Sequence, residues 1–126
     1  MNTFKNVAVA AVIAAGLGAA PAMAQDADKG ERVFKRCAAC HTTESGGKNK
    51  RGPNLFGVIG RQAGSLEGYR YSKAFKALDF VWDEAKLVEF VAGPKKMVKG
   101  TKMGFAGLRK EDDIANIIAY LKIATN

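Results

Sequence analysis

The chain holds 126 residues, 48% hydrophobic and 25% charged, with 20 basic side chains against 12 acidic ones and a formal charge of +8. That length suits one small domain. Two cysteines and one histidine exclude a disulfide-rich scaffold and a zinc site of four Cys and His ligands, and leave little for a hydrolytic triad; the apolar content excludes collagen-like and disordered chains.

Met1 to Ala24 reads as a secretory signal. Lys5 supplies the positive start, Val7 to Ala20 an uncharged apolar run, and Ala22-Met23-Ala24 an A-x-A cleavage site. The run falls short of the roughly 20 residues that span a bilayer, which speaks against a retained anchor. Cleavage would leave Gln25 to Asn126 as one soluble, exported, periplasmic domain, and loss of Lys5 takes its charge from +8 to +7.

Three main helices are expected after the signal. The first runs from Asp28, as N-cap, to Cys37, with Val33 and Phe34 as apolar contacts. Ser72 to Leu78 forms a weaker helical piece. The second main helix spans Asp83 to Ala92, where Leu87, Phe90 and Val91 share a face and Gly93-Pro94 stops the chain. The third, Glu111 to Ile123, carries the stripe Ile114, Ile117, Ile118 and Leu121, while Glu111, Asp112 and Asp113 suit its N-terminal dipole. Glycine-rich loops lie between, with no alternating strand pattern and no repeat. The fold class is therefore all-α, and so short a chain with two long loops would bury a poor core alone. A bulky apolar group is missing from the amino-acid inventory.

Both cysteines and the histidine stand together in Cys37-Ala38-Ala39-Cys40-His41. C-x-x-C-H is the attachment signature of c-type haem: thiols with two residues between them can each add to one vinyl group, and the next residue brings an imidazole under the iron. A thioredoxin-like pair would want a βαβ setting, a zinc site one more ligand or a second chain, and two adjacent thiols outside the cell would otherwise risk oxidation. The sixth ligand is then methionine, lysine or an open site. Met103, in Gly100-Thr101-Lys102-Met103-Gly104, has glycines that let the backbone approach a macrocycle, whereas Met97 reads as a packing residue.

With these motifs the chain resembles a class I cytochrome c of the short mitochondrial type along its whole length beyond the signal. Cys37 to His41 resembles the family's haem-binding segment. Gly52-Pro53-Asn54-Leu55 resembles the loop whose proline carbonyl accepts a hydrogen bond from the proximal histidine, and Gly100 to Met103 the distal loop. The resemblance implies one covalent haem c on Cys37 and Cys40, with His41 and Met103 on the iron, wrapped by three helices and long loops. It implies that Arg61, Tyr71 and Trp82, with Ser72 and Thr101, attend the propionates, that Phe90 stands near the methionine sulfur, and that Gly30 and Phe34 cross Ile117 and Tyr120. Three positions depart from the family: Phe75 for an asparagine, Lys99 for a proline and Asn49 for a histidine.

A His/Met iron has no free coordination site, and a thioether favours Fe(II), so the implied function is electron transfer by a monomeric carrier and not catalysis. Arg36, Lys50, Lys95, Lys96, Lys99, Lys102, Arg109 and Lys110 flank the attachment segment and the distal loop and suit acidic docking faces on redox partners. By resemblance the donor is a quinol–cytochrome c reductase, and the acceptor an oxidase, a photosynthetic reaction centre or a periplasmic reductase. Nucleic acid fits poorly, since no recognition motif is present. A peroxidase-like or gas-binding protein is the alternative, and either requires an open sixth site.

Overall fold

The structure, a computed structural model, describes residues 25–126 together with Gly16. The signal and its cleavage site lie outside the described residues. Among the described residues five helices follow in order: α1 Ala27–Phe34, α2 Lys73–Lys76, α3 Glu84–Ala92, α4 Pro94–Met97 and α5 Glu111–Ala124. Among the described residues the only extended pairing is an isolated bridge between Gln62 and Val81, so the fold is all-α.

Local chemistry accounts for each helix. The cap of α1 is Asp26 and not Asp28: its carboxylate accepts from the Asp28 and Lys29 N–H groups at 3.0 and 3.1 Å. Asp28 falls instead in the first turn, where its charge suits the helix dipole. The helix also stops at Phe34, short of Cys37. Beyond it the chain tightens into turns, with Cys37 N–H donating to Phe34 O at 2.7 Å and His41 N–H to Cys37 O at 2.9 Å. Ser72 caps α2 through a bond from Phe75 N–H at 3.1 Å, and Asp83 caps α3 through Lys86 N–H at 2.8 Å. Gly93 ends α3 as expected. Pro94 then opens the unanticipated α4, because a first-turn residue needs no N–H and its fixed φ suits the helix. On α5 the last turn is tied by Thr125, whose hydroxyl donates to Leu121 O at 2.6 Å.

The first and last described helices meet. α1 crosses α5 at Gly30, where any Cβ would strike the Asn116 carbonyl oxygen and lie 2.7 Å from the Tyr120 Cβ. Asp26 N–H donates to Asn116 Oδ1 at 2.9 Å, and the Phe34 and Tyr120 rings lie 5.2 Å apart. The expected Gly30/Phe34 against Ile117/Tyr120 crossing is thus present. Ile117 and Ile118 are 1% exposed, each contributing about 2 kcal/mol of burial. α3 adds Leu87 and Phe90 to the same core. The long loop between α1 and α2 is stitched on by its backbone: Gly57 N–H donates to Thr125 O at 2.6 Å, Gly60 N–H to Trp82 O at 2.7 Å and Ala63 N–H to Phe80 O at 2.9 Å. Helices and loops so arranged enclose a space between them.

Candidate functional site

That space is a cavity of about 500 Å³. From the helical side α1, α3 and α5 supply only apolar lining: Phe34, Leu87, Phe90, Val91, Ile117 and Leu121. The loops supply the polar lining, including Arg61, Tyr69, Tyr71, Ser72, Thr101 and Lys102. Cys37, Cys40, His41, Pro53, Trp82 and Met103 face the same cavity, so every haem-contact residue expected from the sequence converges there. Met97 does not line it and packs against the core. A wider recess of about 630 Å³ lies outside, between α1 and the start of α5. Its lining is mostly charged, with Lys29, Arg32, Lys110, Asp112 and Asp113, and it contains neither thiol nor imidazole.

The histidine is oriented by its neighbours. His41 Nδ1 lies 2.8 Å from Pro53 O, and since a carbonyl only accepts, Nδ1 carries the proton and Nε2 keeps its lone pair. Gly52 makes room for this: a Cβ there would collide with the imidazole, 2.7 Å from both ring nitrogens. Burial pulls the His41 pKa below its ordinary value, the Pro53 hydrogen bond opposes that, and the Arg61 charge adds to it. The outcome favours the neutral imidazole, which is the metal-binding form. Burial raises the Cys37 thiol, against a lowering by Arg36 and with a further push from Cys40, and neither cysteine is in a disulfide. Among the described residues no three His, Cys, Asp or Glu side chains gather as a metal cluster.

The other side chains are held by the loops they sit on. Arg61 donates from Nη1 and Nη2 to Asn54 O at 3.1 Å each, and from Nη1 to Phe56 O at 3.3 Å. Tyr71 accepts from Leu66 N–H at 3.3 Å. The Thr101 hydroxyl accepts from Met103 N–H at 3.2 Å and so shapes the loop that presents the thioether. Gly100 sits at φ +90°, where L side chains are strained, with the space for a Cβ bounded by Ala74 at 3.3 Å. Of the three departures, Asn49 keeps one tie, accepting from Asn54 N–H at 2.8 Å, Lys99 is exposed, and Phe75 enters the cavity wall. Sequence reasoning missed Arg51 and Tyr69, which also line the cavity and are joined by Tyr69 Oη donating to Arg51 O at 2.6 Å. No local pattern marks a contact across 18 residues.

This donor set fits a flat amphiphilic metal macrocycle. Apolar helices would take its body, two thiols and an imidazole would meet its covalent edge and iron, and loop cations and hydroxyls would face its acidic end. Every charged side chain lining the cavity, Arg36, Arg51, Arg61 and Lys102, is a cation. The eight basic residues expected around the opening are all exposed, and none joins either ion pair seen among the described residues, Lys29–Asp26 and Lys122–Glu84. Arg36 and Lys102 line the cavity itself. Lys102 Nζ donates to Arg70 O at 2.6 Å and Lys50 Nζ to Ala38 O at 2.9 Å, while Lys95, Lys96, Lys99 and Lys110 stand away from the lining.

Among the described residues no helix is long and apolar enough to cross a membrane. The family model for cytochrome c matches residues 27–124. The chain is 50% identical to cytochrome c of Chlamydomonas reinhardtii over 107 residues, 84% of this chain and 96% of that protein. It is 48% identical to cytochrome c2 of Blastochloris viridis over 103 residues, 82% of this chain and 81% of that one. With cytochrome c-554 of Methylosinus trichosporium it shares 46% identity over 122 residues, 96% and 92% of the two chains. A helical frame matched from α1 to α5, around a cavity with the thiols and imidazole of a C-x-x-C-H segment, leaves one assignment: the chain belongs to the cytochrome c family, electron carriers with one covalently bound haem c.

Proposed function

We propose that this cytochrome is an exported, periplasmic carrier whose haem is bound by thioethers to Cys37 and Cys40 and ligated by His41 and Met103. The observation that carries the reading is the convergence of those four side chains on one cavity, with His41 Nδ1 already engaged by Pro53. When bound, haem c supplies one-electron Fe(III)/Fe(II) chemistry. The chain's own residues do the rest. His41, fixed by Pro53 and relieved by Gly52, offers Nε2 in one orientation. Met103, on a loop ordered by Thr101, offers a soft thioether that favours the reduced state. Arg61, Tyr71, Ser72, Trp82 and Thr101 compensate the propionates, and the apolar helical side keeps water from the metal.

The cationic opening suits brief contact with acidic faces. Long-range attraction can raise association towards roughly 10⁸ M⁻¹s⁻¹ at low salt, and an interface below about 1,200 Å² lets the partner leave quickly. The donor is then a membrane quinol–cytochrome c reductase, and the acceptor an oxidase, a photosynthetic reaction centre or a periplasmic reductase. Cleavage after Ala24 frees the carrier from the membrane as a monomer.

Absorption spectra of the exported protein, oxidised and reduced, before and after acid–acetone extraction, test this directly. Retained haem, a sharp low-spin reduced spectrum and a near-infrared thioether-to-ferric band are expected. Extractable haem would overturn the attachment, and a high-spin spectrum would move the assignment to a peroxidase-like or gas-binding protein.

A further inference from the structure

We infer that Lys50 is a positioning residue, whose ammonium clasps the segment from Lys50 to Pro53 onto the C-x-x-C-H turns and so fixes the orientation of the His41 ring. The inference rests on the proposed His41 ligation. Three observations carry it. First, the turns end on a carbonyl that their own backbone leaves open. Cys37 O takes both the Cys40 and the His41 N–H, whereas among the described residues no backbone N–H reaches Ala38 O. Lys50 Nζ donates to that oxygen at 2.9 Å, from 12 residues away. Second, the same segment supplies two more bonds to the turns. Gly52 N–H donates to Cys40 O at 2.8 Å, and Pro53 O accepts from His41 Nδ1 at 2.8 Å. Lys50 N–H donates to Gly52 O at 3.0 Å, which folds the segment into one unit. Third, Gly52 lies so close to the imidazole that a Cβ there would strike it, so ring and segment move together.

The consequence is a division of labour among the exposed cations. Among the described residues, Lys50 is the one cation around the opening that bonds to the attachment turns. A lysine at the end of helical turns suits the negative end of the peptide dipoles, and a charged donor bonds a carbonyl more strongly than a neutral one. With Ala38 O, Cys40 O and His41 Nδ1 all engaged, the turns and the proximal loop hold one register, and Nε2 keeps one direction.

The test compares the haem-loaded wild type with Lys50→Gln, Lys50→Arg and, as a control, Lys95→Gln. The His41 ring resonances of the ferric wild type are recorded first. Without the shifts of an iron-bound imidazole the ligation reading fails, and this inference with it. With them, NMR follows solvent exchange of the His41 Nδ1 proton and the Gly52 amide. Both should exchange about fivefold faster in Lys50→Gln, equivalent to about 1 kcal/mol, while the amides of α5 keep their wild-type rates. Lys50→Arg keeps charge and donor and should restore slow exchange, and Lys95→Gln should alter neither proton. Wild-type exchange in Lys50→Gln overturns the inference, as does exchange left fast in Lys50→Arg. Equal acceleration in Lys95→Gln overturns it too, by making Lys50 one surface charge among several. So does faster exchange throughout α5, since the loss would then be of the whole fold. If Lys50→Gln fails to take up haem, the wild type decides the matter. Its Lys50 ammonium protons should exchange with water more slowly than those of Lys95, and equal exchange refutes the clasp.

Discussion

Replacing Gly30 by alanine should separate the two helices that close the fold. Helix propensity by itself favours alanine by about 1 kcal/mol. Against this, the added methyl would fall on the Asn116 carbonyl oxygen and within 2.7 Å of the Tyr120 Cβ, and neither atom belongs to the movable end of a side chain. α1 must therefore move away from α5. Overpacking of this kind costs about 1–3 kcal/mol. The shift also stretches the 2.9 Å bond from Asp26 N–H to Asn116 Oδ1, about 1 kcal/mol, and pulls Phe34 from Tyr120, about another 1 kcal/mol. After the propensity gain, the net loss is about 3 kcal/mol. For a domain of this size that lowers the melting temperature by roughly 12–24 °C. The assay is a thermal melt of the haem-loaded protein followed by its helical circular dichroism. A variant melting within about 3 °C of the wild type would show that the crossing has slack, and would refute the steric reasoning.

Three other outcomes are expected. Met103→Ala should abolish the near-infrared thioether band, whereas Met97→Ala should keep it and cost about 1–2 kcal/mol in chemical denaturation, since Met97 is only partly buried; a retained band in the first variant would show that Met103 is not the ligand. Gly52→Ala should push the His41 ring off Pro53 and yield high-spin or haem-poor protein on absorption, and a wild-type spectrum would contradict the collision seen at that site. Lys95→Glu with Lys99→Glu should slow electron transfer to a membrane oxidase about two- to tenfold at low salt in stopped-flow measurements, a difference that should vanish at 1 M salt, where charges are screened within about 3 Å.

The stripe Ile114, Ile117, Ile118 and Leu121 announced α5, because four apolar residues at helical spacing leave one face to bury. The segment from Asp26 to Asp28 was harder to read. It offers two capping carboxylates, and Asp26 prevails where its own N–H is also claimed by Asn116, 90 residues away. The first helix was carried too far, to Cys37, since nothing local marks the point where hydrogen bonds tighten from i−4 to i−3. α4 has four residues and no room for a period, and Pro94 was read only as the stop of α3. At the site, dense local motifs exposed the thiols, His41, Pro53 and Met103. Arg51 and Tyr69 left no such trace, because a side chain meeting a distant backbone carbonyl leaves no spacing to detect. Phe75 was seen as a departure, but its place between Tyr71 and Phe90 depends on packing in three dimensions.

The meeting of α1 and α5 also orders events in time. Asp26 and Asn116 are 90 residues apart, and closing a loop of that length costs about 4 kcal/mol of chain entropy before any contact repays it. Contacts of such high sequence separation slow folding. Ile117 and Leu121, both on α5, form part of the cavity wall. Until α5 docks on α1, the cavity that Cys37, Cys40 and His41 border lacks part of its wall. Closure of the site is thus coupled to the slowest contact in the fold.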